Sequence, residues 1–412
     1  TNQINGNPVI DFTGQAVLEF LLNITTLETT VFSVHKTPAS SPTCRPFALS
    51  NHLILENSFQ ITPFYTNPNQ LAPRINKTRD LFSIFSLSSE AGVSGVNVSV
   101  TNNSKSLAGV RNEGFGLTSS SIGASYSGSY QGFSSGQMAE FIVFNEKLNS
   151  AKRKIVSNYL AAKYNLTAEQ NLYTHKTTYG RDVIGIGQEA DGNHLESRGL
   201  DSLLINNPSA LGNGDYILVG NDGGGFSTST DVGALTTHRW KNIWRADVTG
   251  TPGTIDLTFY LGSNDFAVDP NNYAVLFENV DGDFGNGGTS VQETGSLYNA
   301  LTKTLTFTGI TLNDGDYFTI AEKGPITAIA TGNWEATSTW SCDCVPTASS
   351  AVTVPSPFTV SINELANAKS LTINTGGTVT ITSNDTLQIV ESLNIEGTLN
   401  SGAEGTILAN GT

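Results

Sequence analysis

Cysteine, methionine and charge are scarce in this chain of 412 residues. It has three Cys, one Met (Met138), and 14% Asp, Glu, Lys and Arg together, against ~25% in an ordinary globular protein. Each shortage excludes a class. With 21 Lys and Arg against 36 Asp and Glu, a net charge of −15, the chain lacks the cationic balance of a generic nucleic-acid binder. No run approaches the ~20 apolar residues a helix needs to cross a bilayer, so membrane insertion is not expected. Cys44, Cys342 and Cys344 lack the second pair of a structural zinc site. His35, His52, His175, His194 and His238 form no His-x-x-x-His pair. No glycine-rich nucleotide loop leads into a helix.

Thr, Ser, Asn and 41 Gly fill the space, and 38% of the residues are hydrophobic, in ordered patterns that exclude a disordered chain. Charge is unevenly spread. Residues 1–178 hold 13 Lys/Arg and 10 Asp/Glu (net +3), and residues 179–412 hold 8 and 26 (net −18). Such a step indicates separate modules. For the acidic part, solubility at a crowded surface is the plainer reading and calcium binding the sharper one. Few Cys, one Met, little Lys and much Thr and Asn point to an extracellular protein. The sequence opens at Thr1 rather than Met, which is expected of a processed product or a fragment. Cys342-Asp-Cys344 is too close for a relaxed bridge. Two thiols, a strained disulfide, or one partner for Cys44 all remain open.

Short strand-like runs separated by Gly, Asn, Ser and Pro predict an all-β chain. In the first segment they include Thr30–Val34, Leu81–Phe85, the alternating Val96–Val100 and Ala139–Phe144. One helix interrupts them, capped by Asn149 or Ser150, with Ile155, Val156, Tyr159 and Leu160 on one face and Lys152, Arg153, Lys154 and Lys163 on a solvated one. A second antiparallel sandwich is expected from about Leu166 to Lys323, closed by Asp314–Ile320. Beyond it, Leu371, Val379, Leu387 and Leu393 start strands 8, 8 and 6 residues apart, a repeat that predicts a β-solenoid. Proteolysis is expected first near 165–178 or 321–332.

Three sets of residues carry a resemblance. Ile4-Asn-Gly-Asn-Pro-Val-Ile-Asp-Phe-Thr-Gly14, with Met138–Leu148 running into Val156–Tyr164, resembles the opening strand, closing strand and helix of a laminin-G/concanavalin-A-like jelly roll. Asp182-Val-Ile-Gly-Ile-Gly187, Trp240-Lys-Asn-Ile-Trp-Arg245 and Asp281-Gly-Asp-Phe284 resemble an uncharacterised β-rich module that follows it. Gly332-Asn-Trp334, Thr337-Ser-Thr-Trp340 and Val345-Pro-Thr347 resemble the opening motif of β-helical regions. The combination is that of large type IX-secreted surface adhesins of gliding bacteria. It implies a jelly roll over 1–166 that is truncated at its N-terminus. A β-sandwich of unknown activity over 167–324 and the first coils of a β-helix over 325–412 would follow. It also implies the surface of a Gram-negative bacterium, glycans or surface ligands as partners, and secretion and anchoring machinery. The expected function is adhesion, the other modules forming a stalk. The alternatives are a polysaccharide-degrading enzyme and a structural spacer.

Candidate sites follow from spacing. Asn279, Asp281 and Asp283 place oxygens at alternate positions as calcium loops do, although Phe284 stands where Gly is required and Ser290 where Glu is. The competing reading is an acidic hairpin turn. Asp201-Ser202-Leu203 and Asp385-Thr386-Leu387 resemble a bacterial O-glycosylation motif, marking Ser202 and Thr386. No catalytic residue is assigned. Gly132-Phe-Ser134-Ser-Gly136 matches an esterase pattern but precedes a strand, not a helix. Glu364, Lys369, Asp385 and Glu391 are too scattered for a lyase or hydrolase. Trp240 and Trp244, four apart, share a face if both lie on one strand, as core aromatics or a sugar platform. Trp334 and Trp340 are expected to plug the first coil.

Overall fold

Period-two runs become strands wherever their alternate residues find a second layer to cover them. The computed structural model describes residues 3–13, 16–20, 28–38, 43–44, 46–49, 52–57, 60–63, 75–76, 80–92, 95–102, 105–111, 120–123, 125–126, 130–131, 135–200, 203–232, 236–262, 273–285, 290–292, 297–342, 344–348 and 350–409. Among them the chain is all-β apart from α1 (Ser150–Tyr164), α2 (Lys176–Tyr179) and a single 3₁₀ turn at Thr337–Thr339. The residues fall into two units, one of Thr1–Leu200, Ile205–Asp222 and Ala246–Gly253, the other of Asp201–Leu204, Gly223–Arg245 and Thr254–Thr412.

The first unit opens with an antiparallel sandwich. One sheet runs Lys105–Arg111, Gly95–Asn102, Ser83–Gly92, Thr29–Lys36, Gly136–Phe144 and Ile10–Phe12 in spatial order. The opening and closing strands therefore lie side by side, Phe12 opposite Gly136 and Ile10 opposite Met138. A second sheet includes Phe47–Leu49, Ser120–Ile122 and Leu18–Phe20. Phe47 crosses from it to meet Phe85 at 5.9 Å and Phe141 at 4.9 Å, which fixes the core between the sheets. After α1 the chain enters the strand Arg181–Glu189, which pairs antiparallel with Tyr216–Asn221 and, at its far end, with Gly192–His194.

In the second unit, Tyr317–Lys323 pairs with Tyr273–Glu278 along one side and with Thr236–Trp240 and Trp244 along the other. The segment expected to close the sheet is thus an interior strand, and Tyr317 to Ala321 are buried accordingly. Trp240 ends one strand and Trp244 begins the next, so the two do not share a strand. Their rings still meet at 6.3 Å in the core, Trp244 also packing on Phe259 and Phe318. Both are buried and offer no platform for a sugar.

From Ile326 onward the strands among the described residues pair in parallel, with one antiparallel bridge between Ala328 and Trp340. Leu371 stacks on Val352, 19 residues earlier, and Leu393 on Leu371, 22 residues later. Val379 likewise stacks on Val360 and Leu399 on Val379. A coil therefore takes about twenty residues and threads two sheets. The eight-residue spacing in the sequence is the step from one sheet to the other within a coil. Val360, Ile362, Leu371, Ile373, Val379, Ile381, Leu387 and Ile389 point inward with no exposure. Trp334 and Trp340 close this core, rings 4.9 Å apart, Trp340 Nε1 donating to the Trp334 carbonyl at 2.8 Å. Cys342 and Cys344 are bonded to each other beside it.

Candidate functional site

The site is built around α1. Asn149 caps the helix by accepting from Lys152 N at 2.8 Å, and Asn165 ends it in the left-handed region at φ 51°. Ser150 N donates to both oxygens of Asp191, which places an acid at the positive end of the helix. Asn149 Nδ2 donates to the Asn193 carbonyl at 2.9 Å. Gly192 lies at φ +141°, and a Cβ there would stand 2.6 Å from that amide, so the turn docks only with glycine.

Both faces of α1 are covered. Ala151, Ile155 and Ala162 pack with Leu172, Tyr173, Val183, Tyr216 and Leu218. Leu160, Ala161 and Tyr164 pack with Phe32, Val34 and Ile84 of the sandwich. The glycines of Asp182-Val-Ile-Gly-Ile-Gly187 make room for this. A Cβ at Gly187 would stand 2.2 Å from the Tyr216 ring, and one at Gly185 would stand 2.9 Å from Leu218.

The basic face expected to be solvated is instead paired. Lys152 meets Glu146 at 3.1 Å, Lys154 meets Glu189 at 2.5 Å and Lys163 meets Glu140 at 2.6 Å. Tyr216 Oη donates to Glu189 at 2.7 Å and Tyr164 Oη to Glu140 at 2.6 Å, completing a Lys–Glu–Tyr cluster on each side of the helix. Burial opposes the Lys163 charge, but the bonds to Glu140 and Tyr159 prevail and hold it above the usual lysine range. Burial, with Glu140 or Glu189 as acceptor, pushes both tyrosines up. Burial also works against Glu189, yet its bonds to Lys154 and Tyr216 bring it below the usual glutamate range.

Alongside α1 lies a cleft of about 420 Å³, within the ~300–1,000 Å³ typical of small-ligand sites. Its apolar lining comes from Phe144, Leu148, Ile155, Val156, Tyr159, Val183, Ile184 and Leu200. Glu146, Lys152, Asp182, His194, Ser197 and Arg198 supply the polar groups. An Asp182 oxygen accepts from Leu200 N at 2.9 Å, and Ser197 Oγ accepts from Gly185 N at 3.3 Å. Burial, followed by the nearby Lys152 charge, pushes the His194 imidazole below the usual histidine range despite Glu196 and Glu146. Near neutral pH it is an uncharged ring with one donor and one acceptor.

The residues singled out by spacing lie elsewhere. In the Asn279–Asp283 loop, buried Glu278 accepts from the amides of Val280, Asp281 and Gly282 at 2.5, 3.0 and 2.5 Å. Asp281 accepts from Asp283 N and Asp283 from Gly285 N. These oxygens close a turn, and among the described residues no three His, Cys, Asp or Glu side chains converge for a metal. Ser202 and residues 132–134 lie outside the described residues. Thr386 opens the strand Thr386–Ile395, half-buried. Lys369 and Glu391 pair at 3.7 Å on neighbouring coils, and Asp385 accepts from the Thr382 hydroxyl. Cys44 lies in the short strand Thr43–Cys44. No helix among the described residues is long and apolar enough to cross a membrane. The cleft residues escaped sequence reasoning because they come from three separate stretches. The one available signal was the Gly185/Gly187 spacing, which demands a close neighbour.

A family described as a domain of unknown function (DUF8202) matches residues 152–316, beginning inside α1, and another (DUF8693) matches residues 325–407. No curated protein matches the chain. Among solved structures, a heptameric SAP-like pentraxin from Limulus polyphemus is similar over 34% of this chain and 77% of its own, at 15% identity and a TM-score of 0.28. The CBM40 of Ruminococcus gnavus IT-sialidase, bound to α2,3-sialyllactose, is similar over 34% of this chain and 91% of its own, at 10% identity and a TM-score of 0.28. The Caenorhabditis elegans galectin LEC-6 is similar over 33% and 95%, at 9% identity and a TM-score of 0.25.

Proposed function

We propose that this chain is a carbohydrate-binding segment of a modular cell-surface adhesin. In this reading a lectin-like sandwich and its flanking cleft hold a glycan, and the parallel coils serve as stalk. The carrying observation is the cleft beside α1, a concave site lined by apolar and aromatic side chains together with several polar groups. The sequence resemblance to surface adhesins supports the extracellular setting. The parallel coils fit a load-bearing role because their strands pair in register from one coil to the next. A glycan array probed with the full chain tests the proposal. Reproducible binding to a defined subset of glycans is expected, and binding to none would remove adhesion through sugar.

A further inference from the structure

We propose that the α1 cleft is the sugar-binding site and that it selects a neutral sugar bearing a methyl-ended substituent, such as a 6-deoxyhexose or an N-acetylhexosamine. The inference rests on the carbohydrate-binding reading above and goes further by assigning the class of sugar and the residues that select it. Its first ground is the lining. An unsubstituted hexose presents hydroxyls all round, and each one buried without a partner costs ~1–3 kcal/mol. Ile155, Val156, Val183 and Ile184 offer such hydroxyls nothing, whereas a methyl group gains by lying against them.

The second ground is charge. Glu146, Asp182, Lys152 and Arg198 all line the cleft, two acids and two bases whose formal charges cancel, and Lys152 is already held by Glu146 at 3.1 Å. With no formal excess of either sign, the lining favours neither a carboxylate nor a cation. The third is the half-buried imidazole of His194, an uncharged donor and acceptor suited to a ring hydroxyl or an amide. Leu200, also in the lining, is 90% exposed and leaves an apolar contact open to the substituent.

The full chain should be titrated calorimetrically with methyl α-fucoside, N-acetylglucosamine, methyl α-glucoside and N-acetylneuraminic acid. His194→Ala and Leu200→Glu should be titrated beside it, with melting temperatures recorded for each. One of the first two sugars is expected to bind at least about tenfold more tightly than the glucoside and the acidic sugar. Each substitution should weaken that binding by about fivefold or more and leave melting unchanged. His194→Gln, which keeps a donor and an acceptor, should retain more affinity than His194→Ala. Sugar binding that survives both substitutions would overturn the cleft as the site while leaving carbohydrate binding intact. Preference for the glucoside or the acidic sugar would overturn the ligand class. An absence of binding to all four, and to an array, would remove the underlying reading as well.

Discussion

Glu189 shows how one side chain can tie a helix to a sheet. Lys154 and Tyr216 both donate to it across α1, and together they outweigh the cost of its burial. Its folded-state proton affinity is depressed, so its contribution is complete above the ordinary glutamate value near 4.5 and is lost as pH falls through the lower folded value. Thermal melts across the acid range should therefore show Glu189→Gln less stable than the parent near neutrality, with the gap narrowing below about pH 4.5. A constant gap across that range would assign Glu189 to packing alone. The Cys342–Cys344 bond closes a loop with a sequence separation of 2. A loop that short restricts the unfolded chain little, so replacing both cysteines by serine should cost about 1.5 kcal/mol or less. A larger loss in denaturant titrations would give the bond a role in holding the folded turn.

At the level of elements, the inward and outward positions of the coils make the sharpest contrast. Ile373 is fully buried while its neighbour Thr372 is half-exposed on the outer face. Ile373→Ala should cost about 2–5 kcal/mol, whereas Thr372→Ala should stay within about 0.5 kcal/mol. Similar losses from both would contradict the parallel stacking. This alternation was legible in the sequence because apolar and polar residues alternate at period two, as in Leu371-Thr-Ile373 and Val379-Thr-Ile381. The coil length was not, since an eight-residue spacing reports only the nearest turn and parallel partners lie about twenty residues away. For α1, Asn149 was legible as one of two candidate caps, but the apolar stripe only in part: Val156, Tyr159 and Leu160 pack toward the sandwich, whereas Ile155 packs on the other face with Val183 and Leu218. Its lysines were misread because Glu140, Glu146 and Glu189 lie on other elements, and a face rich in lysine looks solvated until those partners are placed.

At the scale of the whole chain, the all-β class was legible in the sequence through its short apolar runs and turn spacing. The cleft was hidden, because Phe144, Ile184 and Leu200 gain meaning only when α1 brings their segments together. The stretch 165–178, where the charge step predicts early cleavage, is a packed strap. Asn158 accepts from Leu172 N and Tyr173 N and donates to the Gln170 carbonyl, while Asp247 receives Thr174. Native proteolysis should spare this stretch and should cut it once Asn158→Ala removes the stitches. Rapid cleavage there in the parent would disprove the strap. The most direct test of the account is methyl-resolved NMR of the full chain, labelled at Ile, Leu and Val, during titration with N-acetylglucosamine and methyl α-fucoside. Shifts confined to Ile155, Val156, Val183, Ile184 and Leu200 are predicted for at least one of the two. Shifts centred on other methyl groups, or none with either sugar, would contradict it.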